Sequence, residues 1–393
     1  MWKAAAKHNV IRTLISYHLT TACLLLLLAL TFWGTLYQVD HGLYAAKQRF
    51  FNSWFFLIRD VLPFPGGRLV LWIGFINLTA VTLFRFSYRW SKAGLILTHL
   101  GLLVLLAGAS VTFHFSEESS LTFEEGEGAN VSYDYHEWEL AVWKQEIRGD
   151  TTIKYTEAHS ITNLIAGDKI SFSEVGAEVE VREVHQNCRA LKGGTPPQVS
   201  GVLSPSGITG LEPEKVSSTQ PHNLPGLIIA TAFAEGDIQT VKLIILYAAD
   251  FRPAPVIIRN APVYFMLRRK AYILPITLTL LDFKKTEYPG TMIPKSFESR
   301  VVMRKPELER EVLISMNKPL RHHNYTFYQS SYSQSEHGEV STLSVVRNPG
   351  RLLPYIGSLI ISLGLFIHFC LMLWKYARRK TMQTHHPEPS AND

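Results

Sequence analysis

Two kinds of pattern alternate along the chain. Four long runs lack Asp, Glu, Lys and Arg altogether: Leu14–Leu36, Leu69–Phe84, Ala93–Phe113 and Leu352–Trp374. Between the third and the fourth lies a stretch of period-two alternation rich in β-branched and aromatic residues. A helix needs about 20 apolar residues to cross a bilayer core, at about 1.5 Å per residue. Three of the four runs reach that length; the second is shorter and is extended by Arg68 and Arg85, whose charged heads can snorkel to the interface. The pattern predicts an α-helical membrane bundle of four transmembrane helices carrying a large β-rich extracytoplasmic domain.

The flanking bases give the order of the segments. Lys3, Lys7 and Arg12 precede the first run, Arg85, Arg89 and Lys92 follow the second, and Lys375, Arg378, Arg379 and Lys380 follow the fourth. With four spans these clusters fall on one side, the cytoplasmic one by the positive-inside rule. The expected layout is a cytoplasmic arm over 1–13, spans over 14–36 and 69–84, a cytoplasmic turn over 85–92, a third span over 93–113, the extracytoplasmic β-rich domain over 114–351, a fourth span over 352–374 and a cytoplasmic tail over 375–393. The first loop, 37–68, is extracytoplasmic, with an interfacial helix as one reading of its middle. A cleaved leader is the other reading of the first run, but its apolar part outruns the usual h-region and Phe32–Tyr37 offers no A-x-A site.

Strands are expected over Val131–Trp143, Lys169–Val184, Gly226–Tyr247, Ala271–Phe283 and Ser299–Met303. The stretch Lys192–His222, rich in Gly, Pro and Ser, reads as a long loop. About 235 residues suffice for one or two sandwich-like modules with a core of their own.

Composition narrows the chemistry. The net charge is +6, from 39 Lys+Arg and 33 Asp+Glu, yet charged residues make up only 18% of the chain, against about 25% in soluble domains. The bases sit at membrane edges rather than in a stripe on a folded domain, so nucleic acid is not an expected partner; the lipid bilayer is. Cys23, Cys188 and Cys370 are far apart with no C-x-x-C, which excludes a disulfide framework, a zinc ribbon and an iron–sulfur site as the organising chemistry. There is no G-x-S-x-G, H-E-x-x-H or glycine-rich phosphate loop, so no catalytic residues are assigned. Cys188 reads as a part-buried thiol rather than a nucleophile. His322-His323 read as surface or turn residues, neighbours on a strand pointing to opposite faces.

Ionisable groups inside a span are costly and tend to mark a site. His99 lies six residues past the start of the third run and His368 six residues before the end of the fourth, each about 9 Å from the cytoplasmic side. His18, near the start of the first run, is shallower. Imidazoles at similar depth suit a metal site, and imidazole is a common axial ligand of haem iron. Each could equally hydrogen-bond a neighbouring helix.

Motifs in order along nearly the whole chain resemble the ResB family, also called CcsB, of System II cytochrome c biogenesis. They are Trp33-Gly34-Thr35-Leu36; Ser53-Trp54-Phe55-Phe56; Thr98-His99-Leu100-Gly101 with Ala107-Gly108-Ala109; Gly126-Glu127-Gly128; Leu281-Asp282-Phe283; Glu287-Tyr288-Pro289-Gly290-Thr291; Pro294-Lys295-Ser296-Phe297-Glu298-Ser299; Met316–Leu320; Tyr325–Tyr332; and Asn348-Pro349-Gly350. The inserted segment Arg59–Gly67 departs from the family pattern and leaves the start of the second span open. The resemblance implies a subunit of a cytochrome c synthase, not catalytic alone, that works with a CcsA/ResC-type membrane partner. Together they carry non-covalent haem b outward and present it to apocytochrome c for thioether attachment. It implies that His99 is an axial haem ligand whose mate usually belongs to the partner. His368 is a second ligand or a support for it, and His18 the remaining candidate for the iron. The expected location is the bacterial inner membrane, with both termini cytoplasmic; a thylakoid is the other. A haem-free scaffold subunit of another complex is the alternative reading, and a quinone- or haem-linked electron carrier a third.

Overall fold

The charge-free runs fold as helices and the alternating stretches as strands in the computed structural model of the chain. It describes residues 9–384 apart from 60, 149–150, 193–201, 218–222, 236–237, 260, 307 and 337. Lys3 and Lys7 of the basic arm, Asp60 and parts of the Lys192–His222 stretch therefore lie outside the described residues. Two units divide the chain: residues 1–116 with 347–393, and residues 117–346.

The first unit is helical. After a short helix, Asn9–Leu14, come α1 (Tyr17–Ala46), α2 (Gly67–Phe84), α3 (Ala93–Phe115) and α4 (Leu353–Thr384). Among the described residues, four helical segments are long and apolar enough to cross a membrane: Tyr17–Phe51, Gly67–Phe84, Trp90–Phe115 and Leu353–Arg378. Ser16 starts α1 by accepting the His18 backbone N–H on its hydroxyl, 3.2 Å away. The helix then runs past Leu36, because nothing breaks it before Gly42, whose φ of 80° turns the chain. A π-helical turn, Lys47–Phe51, follows.

Next comes a hairpin of β1 (Phe55–Ile58) and β2 (Leu62–Pro65), paired antiparallel. The segment read as a possible interfacial helix is thus a hairpin, its turn made by Arg59 at φ 50°. Apolar residues at every second position outcompete a helix here: Phe56 and Phe64 lie opposite each other and pack beside Trp33, with ring centroids 6.0 Å from it in both cases. Phe50, itself fully buried, fills the remaining side at 5.9 Å from Trp33 and 4.8 Å from Phe56. The two early motifs, Trp33–Leu36 and Ser53–Phe56, therefore meet in one aromatic core.

Each helix pair is joined differently. Asn77 of α2 is buried and serves as a polar clasp on the break before α1: its amide donates to the Leu14 and Ser16 carbonyls (2.6 and 3.3 Å), and its oxygen accepts from Thr20 (2.6 Å). Arg85 adds a bond to the Ile15 carbonyl at 2.8 Å and stacks over Tyr17. By contrast, α3 and α4 meet through glycine. Gly94, Gly101 and Gly108 recur every seven residues on α3; Gly364, Gly357 and Gly350 recur every seven on and just before α4. They pair antiparallel. A Cβ at Gly357 would lie 3.1 Å from the Gly101 carbonyl, one at Gly364 2.9 Å from the Gly94 carbonyl, and one at Gly350 3.2 Å from the Gly108 carbonyl. A strict seven-residue period holds one face of an α-helix against a partner, and small residues let two backbones touch where lipid offers no hydrophobic drive.

The second unit is β-rich, with no helix among its described residues. Ten strands, β3 (Glu117–Glu124), β4 (Gly128–Arg148), β5 (Thr151–Ser160), β13 (Ala254–Ile258), β14 (Ala261–Glu287), β15 (Pro294–Lys305), β16 (Leu308–Ser315), β17 (Leu320–His322), β18 (Tyr325–Ser335) and β19 (Gly338–Arg347), form the larger sheet. A five-stranded sheet runs β6 (Lys169–Phe172), β7 (Ala177–His185), β11 (Gly226–Glu235), β12 (Ile238–Tyr247), β9 (Val202–Leu203). The expected loop after Lys192 is only partly irregular, for β10 (Ile208–Pro213) pairs with β8 (Cys188–Lys192). There Ile208 and Leu211 bury against Cys188 and Ile245, a gain that sequence rich in Gly and Pro conceals.

Among the described residues this unit has two large hydrophobic cores besides the small cluster at Cys188, and β14 serves both of them. Its first half gives Val263, Phe265 and Leu267 to one; its second gives Leu274, Ile276, Leu278, Leu280 and Phe283 to the other. Its register against β4 shifts between Ile273 and Leu278, around Pro275, which has no N–H to give the ladder.

Candidate functional site

The three candidate histidines all belong to the helical unit. His99, half-buried in α3, has its Nδ1 2.9 Å from the Leu95 carbonyl. A carbonyl can only accept, so Nδ1 carries a proton, and in the neutral ring the lone pair is then on Nε2. Nε2 has no hydrogen-bond partner among the described residues, and the ring meets Phe86 edge-on, with centroids 4.7 Å apart. This is the arrangement a metal-binding imidazole needs: one nitrogen oriented by an acceptor, the other presented.

His368 stands apart from it. Its backbone nitrogen and Cα lie against Gly94, so it is level with the start of α3. His99 lies five residues further along that helix, about 7.5 Å. Around α3, His99 points about 150° away from the glycine seam that holds α4. The structure therefore does not bring the two rings together. The equal depths expected from the charge-free runs differ because α4 continues well past Trp374, to Thr384. His18 is exposed at the first turn of α1, its Nδ1 3.3 Å from the Ser16 hydroxyl. Among the described residues, no group of three or more His, Cys, Asp or Glu is placed to hold a metal ion.

In the β-rich unit the quoted motifs converge. Phe283, Phe297 and Tyr332, from three separate motifs, form a stack with centroids 5.1 to 6.2 Å apart. Beneath it the Ser299 hydroxyl donates to the Gln329 oxygen at 2.6 Å and meets the Ser341 hydroxyl at 2.8 Å, all three residues buried. Glu125, next to the Gly126 turn at φ 84°, accepts the Phe283 N–H at 2.8 Å.

Comparison with known proteins fits that convergence. The sequence model of the ResB-like family matches residues 259–342. Over those residues the chain is similar to that family. A curated relative, Protein NrfI of Wolinella succinogenes, is 35% identical over 94 residues, which are 23% of this chain and 10% of that protein. The ResB-like stretch runs from β14 into β19 and supplies most of the second core; His18, His99 and His368 lie outside it.

Inside the ResB-like stretch, His322 and His323 do not point to opposite faces. His323 takes φ 49° at a turn, and the two ring centroids lie 4.3 Å apart. Burial lowers the His322 pKa, with help from His323, Lys305 and Arg310, so His322 stays uncharged more readily than a free imidazole. Cys188 is buried, and burial with the Glu214 charge pushes its thiol up to about 11, so it is protonated and unreactive near neutral pH.

Two features escaped the sequence reading. The paired glycine repeats were visible as six glycines at two fixed spacings. Arg68 and His114, whose side chains meet at 3.2 Å across the far ends of α2 and α3, sit 46 residues apart and carry no local signal.

Proposed function

We propose that the chain is a membrane subunit of a System II cytochrome c synthase in the bacterial inner membrane. In this reading it helps deliver haem across the bilayer and, with a CcsA/ResC-type partner, presents it to apocytochrome c. Haem is the cargo, and its iron supplies two axial positions for imidazole. The observation that carries the reading is His99: Nδ1–H bound to Leu95, Nε2 unpartnered, in an otherwise apolar span. Because His99 faces away from α4, its axial mate comes from another chain, and His368 acts from the seam, as a support for α3. The ResB-like stretch supports the assignment to cytochrome c biogenesis, and the basic flanks support cytoplasmic termini with a periplasmic β-rich unit.

The visible spectrum of the detergent-purified chain, made with and without its partner, tests this. The expected result is a reduced bis-histidine b-type spectrum, present only with the partner and lost in His99→Ala. A spectrum without the partner would move the second ligand to His368 or His18. A colourless complex would leave the haem-free scaffold reading.

A further inference from the structure

At the end of α3 remote from His99, a cavity of about 490 Å³ opens between α2 and α3. Its walls are apolar, including Leu71, Trp72, Phe75, Leu106 and Val111, and its polar end is Arg68 with His114. The His114 Nδ1 lies 2.9 Å from the Ser110 carbonyl, so Nδ1 donates and Nε2 accepts from Arg68 Nη2 at 3.2 Å. Arg68 is held flat between aromatic faces, 4.8 Å from the Trp54 centroid and 5.8 Å from that of Phe113. Its guanidinium has no carboxylate partner among the described residues, and its Nε is buried with no hydrogen bond. A positive fork above an apolar slot, at the first turn of a membrane span, asks for an acid with a long apolar body.

We infer that this cavity is a site for an acidic phospholipid of the surrounding bilayer. The phosphate occupies the Arg68 fork, and an acyl chain lies along α2 and α3. A free phosphate would leave the walls empty, and a zwitterionic lipid would bring a second cation beside Arg68. The site is independent of the haem reading: His99 and His114 are 15 residues apart on one helix, about 22 Å.

Native mass spectrometry of the full chain in detergent tests it, with phosphatidylglycerol, phosphatidylcholine of the same acyl chains, and inorganic phosphate as probes. The wild type should hold phosphatidylglycerol at least ~tenfold more tightly than phosphatidylcholine, a difference of about 1.4 kcal/mol. Arg68→Gln should remove that preference, and Arg85→Gln, at the opposite end of α2, should keep it. Ala107→Leu, which narrows the slot without touching the charge, should weaken the adduct and serves if Arg68→Gln does not fold. Equal binding of the two lipids, an unchanged preference in Arg68→Gln, or full displacement by inorganic phosphate would each overturn the inference.

Discussion

Helix α3 has two working faces, and they are built on opposite principles. Towards α4 it presents Gly94, Gly101 and Gly108, and the backbones touch. Towards α2 it presents Leu106, Ala107 and Ser110 across a cavity large enough for a ligand. In lipid both arrangements are open, since burying a leucine against protein gains little over burying it in acyl chains. The close seam is held by dispersion at short range; the open one is bridged at one end by Arg68–His114. A protein that must keep one pair of helices fixed while leaving another accessible has reason to use both.

The sharpest way to break this contrast is to place the same side chain on each face. Gly101→Leu should be much the more damaging of the two. Even a Cβ there would lie 2.7 Å from Ile361 Cγ1 and 2.8 Å from the Ile361 backbone nitrogen, and backbone cannot yield as a side-chain tip can. A cost of about 3 kcal/mol is expected, at the upper end for overpacking. Ala107→Leu, which points into the cavity, should change stability by well under ~1 kcal/mol. Thermal unfolding of the two detergent-solubilised variants compares them directly. Equal losses would mean that the cavity is not open space.

Asn77→Leu comes next, and asks whether the polar clasp or apolar contact holds α1 to α2. The change keeps the branched shape but leaves the Leu14 and Ser16 carbonyls without their donor and Thr20 without its acceptor. A loss of about 1–2 kcal/mol is expected. Proteolysis near residues 14–16 should rise with it; a variant as stable and as resistant as the wild type would assign the contact to packing alone.

How much of this was legible beforehand follows from the range of each interaction. Spans announce themselves because lipid forbids charge over about 20 residues, a local property. The extended strands did so through period-two alternation over Val131–Trp143, whereas Gly226–Tyr247, read as one stretch, folds as the two strands β11 and β12. The hairpin at Phe55–Pro65 did not, because Phe56 is buried and Phe64 partly covered only once Trp33 and Phe50 are in place. Of the candidate site, His99 and its need for an acceptor could be read from one helix, since Leu95 is four residues away. Its separation from His368 could not, because it depends on which face of α3 the glycines give to α4. Arg68–His114 depends on the contact of two helices and leaves no trace in either one.

The smallest effect separates hydrogen bonds that join α3 to the chain before α4 from those that stay within α3. Thr112 Oγ1 donates to the Asn348 oxygen at 3.2 Å, reaching across to the segment that leads into α4. Thr98 Oγ1 donates to the Gly94 carbonyl at 2.9 Å, four residues back on its own helix. Valine matches threonine in shape, so Thr112→Val removes an interhelical bond and Thr98→Val a local one, with the glycine seam intact in both. Interhelical bonds of this kind average about 0.6 kcal/mol, so Thr112→Val should lower the unfolding midpoint slightly and Thr98→Val should leave it unchanged. If Thr98→Val costs as much, the hydroxyl itself is wanted at the seam, where a Cβ on Gly364 would come within 2.7 Å of it. The close face would then depend on polar contacts as well as on the absence of side chains, and the contrast with the open face would narrow to geometry alone.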